Sequence, residues 1–156
     1  MRTPFLVFSI YAQFYSYLGT EELAHLEMVG TIVYQLTRNL SEDDINKAGF
    51  DAYFVDHTNG IYPQAASGTP FNAMAIASKG DPITDLHESM AAEQKARTTY
   101  DNILRYCADD PDVRDVIRFL RQREVVHYQR FGEGLRLLTD KLNDKNFYAI
   151  NPSFDK

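Results

Sequence analysis

The sequence predicts an all-α fold, a bundle of long helices. Apolar residues recur at spacings of three and four along three long segments, which is the period of one helix face. Two of these segments begin with strong helix-start signals, Asp81-Pro82 and Asp109-Asp110-Pro111. The chain of 156 residues is 44% hydrophobic and 24% charged. We therefore expect residues 1–156 to form one domain with one core.

The N-terminal stretch, residues 4–18, is apolar and aromatic, and we expect it to form a buried helix. It is interrupted by Ser, Gln and Tyr and is shorter than the roughly 20 residues of a membrane span. No small-x-small cleavage pattern follows it, which argues against a signal peptide. The single cysteine, Cys107, excludes an intramolecular disulfide and fits a reducing compartment. The protein is expected to be cytoplasmic, with no membrane partner.

The first clear helix is predicted to begin at Thr20, an N-cap residue followed by the acids Glu21 and Glu22. A short helix should follow from Ser41 to about Gly49. The inward face of the first helix consists of Leu18, Glu22, His25, Val29, Ile32, Val33 and Leu36. An acid and a histidine thus lie on a face where an unpaired charge is costly.

The helical pattern fails across residues 49–82, where glycine and proline recur and aromatic residues are scattered. A connection of this length inside a compact domain usually has a function, and its Tyr and Phe content favours a subunit interface. One short helix is predicted over Phe71–Ser78. His57, within this loop, is expected at a subunit contact.

Two further long helices are predicted, one from Asp81-Pro82 to about Cys107 and one from Asp109-Asp110-Pro111 to about Lys141. The inward face of the former carries Leu86, Met90, Glu93, Arg97, Tyr100 and Leu104. That of the latter carries Val113, Val116, Ile117, Leu120, Glu124, His127, Phe131, Leu135 and Leu138. We expect His87 on the surface and residues 146–156 to form a tail. A solvated or interface face is expected for Arg114, Arg118, Arg121, Arg123, Arg130 and Arg136.

Two Glu-x-x-His pairs, Glu22 with His25 and Glu124 with His127, therefore lie on inward faces. Residues three apart on a helix point in the same direction. One such pair alone is weak evidence, since a helix-surface ion pair has the same spacing. Two buried pairs, with Glu93 on a third inward face, would cost several kcal/mol per charged group unless divalent cations compensate.

Ferritin-like four-helix bundles build dinuclear metal sites from two such pairs and two single glutamates. The sequence supplies three of these four helical contributions. Other site types are not indicated. The net charge of −6 argues against a nucleic-acid partner. There is no Gly-rich phosphate loop and no convincing Ser or Cys nucleophile arrangement.

Several motifs resemble those of the manganese catalases, in particular the short branch associated with bacterial spore coats. The resemblance covers about residues 19–153. The motifs are Gly19–Glu27 (GTEELAHLE), Ser78–Ile83, Asp85–Glu88, Ala91–Arg97, Asp109–Pro111 and Phe119–His127. The resemblance implies a ferritin-like fold, usually a hexamer, and decomposition of hydrogen peroxide to water and dioxygen at two manganese ions per subunit.

The resemblance also implies a role for each site residue. Glu22 would be the bridging carboxylate, and His25 a ligand of one manganese. Glu93 and His127 would bind the other manganese. Glu124 matches an outer-sphere glutamate that the family uses as proton acceptor. Arg97 lies one turn beyond Glu93, where we expect it to pair with a carboxylate beside the metal ligands and to assist catalysis.

The first twenty residues depart from the family pattern. They contain no Asp or Glu, whereas the family's first helix brings one more glutamate to the manganese that His25 binds. We expect a first helix that is incomplete or replaced by an apolar one. Two alternatives follow. One is a structural protein of an oligomeric spore-coat layer, in contact with other coat proteins, with an impaired metal site. The other is a di-iron oxidase, because iron uses nearly the same ligands.

Overall fold

The computed structural model describes residues 3–51, 69–75 and 78–143. Within these ranges the chain forms four α-helices and one 3-10 turn, without a β-strand. The helices are α1 (Thr3–Thr37), α2 (Glu42–Ala48), α3 (Pro82–Tyr106) and α4 (Pro111–Asn143), and the 3-10 turn is Ala73–Ala75. The all-α prediction is confirmed.

The chain divides into two compact units. One consists of Met1–Val29 with Lys79–Lys156, and the other of Gly30–Ser78. The first unit contains most of α1 together with α3 and α4, and all the residues of interest for function. The second contains the end of α1, α2 and the 3-10 turn.

The helix α1 runs without interruption from Thr3 to Thr37, so the predicted helix start at Thr20 is wrong. Thr20 lies in mid-helix, where its hydroxyl donates to the carbonyl oxygen of Ser16 at 2.8 Å. The predicted helix in residues 4–18 is confirmed from Thr3 onward, but it is buried on one face only. Leu18 is buried, whereas Tyr17 is exposed.

The core of the first unit is formed by Leu18, Leu86, Phe131 and Leu138. Tyr15 of α1 packs against this cluster and its hydroxyl donates to the carbonyl oxygen of Asp85 at 3.0 Å. At one point α1 and α4 come close together. A Cβ at Gly134 would lie 3.2 Å from the ring of Phe14.

The ends of the helices follow the predicted signals. The side chain of Asp81 caps α3 by accepting the N–H of Thr84 at 2.8 Å, with Pro82 in the first turn. Asp110 caps α4 by accepting the N–H of Asp112 at 3.1 Å. In the other unit, Ser41 and Asp44 form a capping box at the start of α2, which ends at Gly49 with a φ of +71°.

The predicted inward face of α1 is only partly correct. Leu18 and His25 are buried and Val29 is half-buried, but Val33 and Leu36 remain more than half exposed among the described residues. Beyond Val29 the helix belongs to the second unit, which contains no buried hydrophobic residue among those described.

Much of the predicted loop over 49–82 lies outside the described residues, as do His57 and the tail 146–156. The helix predicted over Phe71–Ser78 is described as a 3-10 turn of three residues, Ala73–Ala75. None of the described helices combines the length and the apolar composition that crossing a membrane would require.

Candidate metal centre

Three helices of the first unit bring the predicted site residues together. Glu22 and His25 come from α1, Glu93 from α3, and Glu124 and His127 from α4. One oxygen or nitrogen atom from each residue of the two Glu-x-x-His pairs lies within 4.8 Å of the other three. Oε2 of Glu93 is 3.6 Å from Nδ1 of His127. The helical period therefore does place both pairs and Glu93 at one point.

This cluster is enclosed on all sides except at Glu22. His25, Glu93, Glu124 and His127 are 4%, 9%, 2% and 0% exposed, respectively. The side chain of Glu22 is 45% exposed. The cluster is therefore a buried polar site with one carboxylate at its edge.

The carboxylate of Glu22 lies between the two histidines. Its Oε1 is 2.6 Å from Nδ1 of His127, and its Oε2 is 3.4 Å from Nδ1 of His25. Oε1 of Glu124 lies 3.6 Å from the same His25 nitrogen. The two imidazole rings stack with centroids 5.2 Å apart. One carboxylate therefore presents one oxygen to each histidine.

The four ring nitrogens of His25 and His127 are buried, and none has a hydrogen-bond partner of acceptable geometry among the described residues. Their short distances to carboxylates are therefore close contacts with poor angles rather than formed hydrogen bonds. A buried polar atom without a partner costs about 1–3 kcal/mol. Divalent cations would satisfy these nitrogens and the surrounding carboxylates together. A set of imidazoles and carboxylates without thiolates suits manganese or iron, so the residues fit such a metal.

The pKa values of two groups in the cluster, Glu124 and His127, are raised. Burial raises the pKa of Glu124 to about 9, and hydrogen bonding to Glu93 and the charge of Glu22 act in the same direction. Burial opposes the charged form of His127, but the carboxylates of Glu22, Glu93 and Glu21 outweigh it and raise the pKa to about 10. Without metal, both groups therefore keep a proton at neutral pH and partly neutralise the anionic cluster.

One residue of the cluster, Glu21, was not predicted. Its Oε2 is 3.2 Å from Nε2 of His127, and its Oε1 is 3.9 Å from Nε2 of His25. Nε of Arg123 donates to Oε1 of Glu21, so this arginine of the face predicted to be mostly solvated or an interface contacts the cluster. Glu21 was assigned to a helix start that does not exist. Its spacing of four from His25, which places both on one face, was the signal for it.

Residues 9–148 match the sequence profile of the manganese containing catalases. The chain belongs to this family. The ferritin-like fold and the resemblance stated above are thereby confirmed. No solved structure matches the chain significantly.

Individual relatives agree with this assignment. The chain is 44% identical over 131 residues to protein CotJC of Bacillus subtilis strain 168. The aligned region covers 84% of this chain and 69% of CotJC. It is 31% identical over 138 residues to a probable manganese catalase of Clostridium acetobutylicum, covering 87% of this chain and 60% of that protein. A manganese catalase of Bacillus subtilis is 25% identical over 132 residues, or 77% of this chain. The match spans 48% of that enzyme, so the chain corresponds to only about half of it.

Arg97 does not pair with a cluster carboxylate among the described residues. Its Nε donates to Oε1 of Gln94 and its Nη1 to Oδ2 of Asp101, both at 2.9 Å. Its expected catalytic role stays a prediction. Burial and the charges of Glu124, Glu22 and Glu93 raise the pKa of Tyr100, one turn along α3. His87 is exposed, as predicted.

Most of the other arginines of α4 fit a solvated face, as predicted. Arg114 and Arg118 pair with Asp115, and Arg136 pairs with Asp140 at 3.0 Å. The guanidinium of Arg130 lies 6.0 Å from the ring centre of Tyr17. Arg121 instead donates to the partly buried Asp101, which Arg97 also contacts.

The raised pKa values predict how the stability of the metal-free protein depends on pH. In the unfolded chain the pKa of Glu124 returns to about 4.5 and the pKa of His127 to about 6.5. From about pH 5 to about pH 9 the folded state holds protons that the unfolded chain has released, so the free energy of unfolding should fall as pH rises. Below this window the lowered pKa values of Glu21 and Glu22 act in the opposite direction. Urea denaturation in EDTA at several pH values measures this.

A matched pair of variants serves as control for the pH experiment. Glu124→Gln removes one of the two titrations and should flatten the slope between pH 5 and pH 9. Glu88→Gln changes an exposed carboxyl on α3 and should leave the slope unchanged. Stability that rises across this range in the metal-free protein would contradict the prediction.

Proposed function

We propose that this cluster binds two manganese ions and that the protein decomposes hydrogen peroxide to water and dioxygen. The observation that carries the proposal is the set of four buried, unpartnered ring nitrogens of His25 and His127 among acidic side chains. Family membership gives this observation its chemical meaning. The activity is a proposal for this chain, because the matched region spans only 60% and 48% of the two manganese catalases named above.

The ligand assignment follows the contacts around each histidine. Glu22 would bridge the two ions, and its two oxygens at 2.6 Å and 3.4 Å from the two Nδ1 atoms support this. His25 would bind one ion. His127 and Glu93, whose Oε2 lies 3.6 Å from His127 Nδ1, would bind the other.

The bound metal pair would supply the two electrons that peroxide reduction consumes and peroxide oxidation returns. The protein must then supply protons in one step and accept them in the other. Reduction of one peroxide to two waters takes up two protons, and oxidation of a second peroxide to dioxygen releases two. Glu124 is the group suited to hold and return a proton beside the metals. It is buried, and its pKa is raised to about 9 when no metal is bound.

A second candidate function rests on the 44% identity to protein CotJC and on the resemblance to the spore-coat branch. In this case the protein is a homo-oligomeric component of a spore-coat layer, contacts other coat proteins and keeps an impaired metal site. Iron in place of manganese is the remaining variant of the first proposal, since ligand type alone does not choose between them. A hexameric assembly is part of either proposal.

The decisive measurement is the metal content per chain, by elemental analysis after folding with manganese, followed by oxygen evolution from hydrogen peroxide. Two manganese ions per chain with rapid oxygen evolution are expected. One ion or none in a folded protein would contradict the dinuclear centre. Two ions without oxygen evolution would contradict the catalase activity and favour the structural role. A parallel sample folded with ferrous iron tests the iron variant, and oxygen evolution from that sample alone would assign the centre to iron.

A further inference from the structure

We propose that Glu21, held by Arg123, is a positioning residue that fixes both histidines of the metal centre in their metal-binding orientation. The proposal rests on the function proposed above, and it assigns Glu21 a role outside the ligand set. It follows from which edge of each imidazole ring faces which carboxylate.

The two nitrogens of each histidine face different partners. Both Nδ1 atoms face the proposed ligand side. Nδ1 of His127 lies 2.6 Å from Glu22 and 3.6 Å from Glu93. Nδ1 of His25 lies 3.4 Å from Glu22 and 3.6 Å from Glu124.

The opposite edges of both rings face Glu21. Its Oε2 is 3.2 Å from Nε2 of His127, and its Oε1 is 3.9 Å from Nε2 of His25. One carboxylate therefore stands behind two stacked imidazoles, with one oxygen toward each. A metal bound at the two Nδ1 atoms lies on the far side of the rings from Glu21, which is why we assign it as a support and not as a ligand.

Arg123 fixes the position of this carboxylate. It precedes Glu124 in α4, and Glu21 precedes Glu22 in α1, so the pair connects the two helices that carry the two histidines. The guanidinium donates to Oε1 of Glu21. The side chains of Arg123 and Glu21 are only 26% and 21% exposed. Arg123 therefore holds the carboxylate of Glu21 in place, and no imidazole N–H is needed for this.

The consequence for the centre concerns protonation and orientation of the rings. A neutral imidazole carries a proton on one nitrogen and a lone pair on the other. A proton on Nε2, the ring nitrogen nearer Glu21 in both histidines, would leave the lone pair of Nδ1 facing the ligand side. Carboxylates that accept the second N–H of a histidine ligand orient the ring and raise its basicity, and their loss typically lowers metal affinity 10–100-fold.

The first test reads the ring protonation directly. Zinc, which is diamagnetic, replaces manganese, and nitrogen NMR of histidine-labelled protein observes the rings. With four histidines in the chain, His57→Gln and His87→Gln complete the assignment. We expect His25 and His127 to carry the proton on Nε2 and the metal on Nδ1. Protonation of Nδ1 with the metal on Nε2 would overturn the proposal, even if the metal content were complete.

The second test measures manganese affinity by equilibrium dialysis. Glu21→Ala should weaken binding about 10–100-fold, and Glu21→Gln, which keeps one acceptor oxygen, should weaken it less. Arg123→Gln should also weaken it, whereas Glu88→Gln, an exposed charge change, should not. A purely structural role would lower the melting temperature of the Glu21 variants yet leave their affinity and the manganese EPR spectrum unchanged.

The outcomes separate the two proposals. If the unaltered protein binds no manganese and no zinc, the proposed metal centre fails and the positioning role fails with it. If the unaltered protein binds manganese and Glu21→Ala binds it with the same affinity, only the positioning role is overturned. Weakened binding together with Nε2 protonation supports both.

Discussion

Replacing His127 should eliminate manganese binding and, with it, the decomposition of hydrogen peroxide. His127 is fully buried, and its Nδ1 lies between the carboxylates of Glu22 and Glu93. His127→Ala removes one of the two imidazoles of the cluster and leaves several carboxylates facing one another. His127→Gln keeps most of the volume but cannot present the same ring nitrogen. Both variants should lose bound manganese by elemental analysis and show only the oxygen evolution of the metal-free protein.

The control for this experiment is His87→Gln. His87 is exposed on α3, outside the cluster, so its replacement should leave metal content and oxygen evolution at the level of the unaltered protein. Circular dichroism separates loss of the metal from loss of the fold, because the helix content of all three variants should be retained. Full manganese content and turnover in His127→Gln would contradict the proposed centre.

The sequence was sufficient to predict that these glutamates and histidines lie together, because their geometry follows from the helical period. Two Glu-x-x-His pairs on apolar faces must each point at the core, and Glu93 lies on the matching face of α3. The starts of α3 and α4 were equally predictable, since Asp before Pro is a local signal that needs no tertiary contact.

The supporting residues around the cluster were not predictable from the same patterns. Thr20 after Gly19 has the local chemistry of a helix start, but burial of Leu18 and packing of Tyr15 on the core accompany a helix that continues through it. Because of this tertiary effect, the position of Glu21 beside the two histidines was not predicted. The partner of Arg97 was also missed. Asp101 lies four residues away on the same helix, and Nη1 of Arg97 donates to it at 2.9 Å instead of to a cluster carboxylate.

Replacing Glu124 with Gln should separate metal binding from catalysis. Glutamine is nearly isosteric, so this buried site should keep its packing, and both manganese ions should remain bound. The amide cannot take up and return a proton as the carboxyl can. Loss of a positioned acid–base group typically lowers the rate about 10²–10⁴-fold, and we expect a decrease in kcat of this size by oxygen electrode.

The metal content of Glu124→Gln distinguishes the two roles open to this residue. An oxygen of Glu124 lies within 4.8 Å of the ligand atoms of Glu22, His25 and His127, so proximity alone is also compatible with direct coordination. A ligand would lose metal when its charge is removed, whereas a proton acceptor would lose only turnover. Two manganese ions with a greatly lowered kcat therefore assign Glu124 to proton transfer. Loss of one ion would make it a ligand, and unchanged kcat would require the proton to travel by another group.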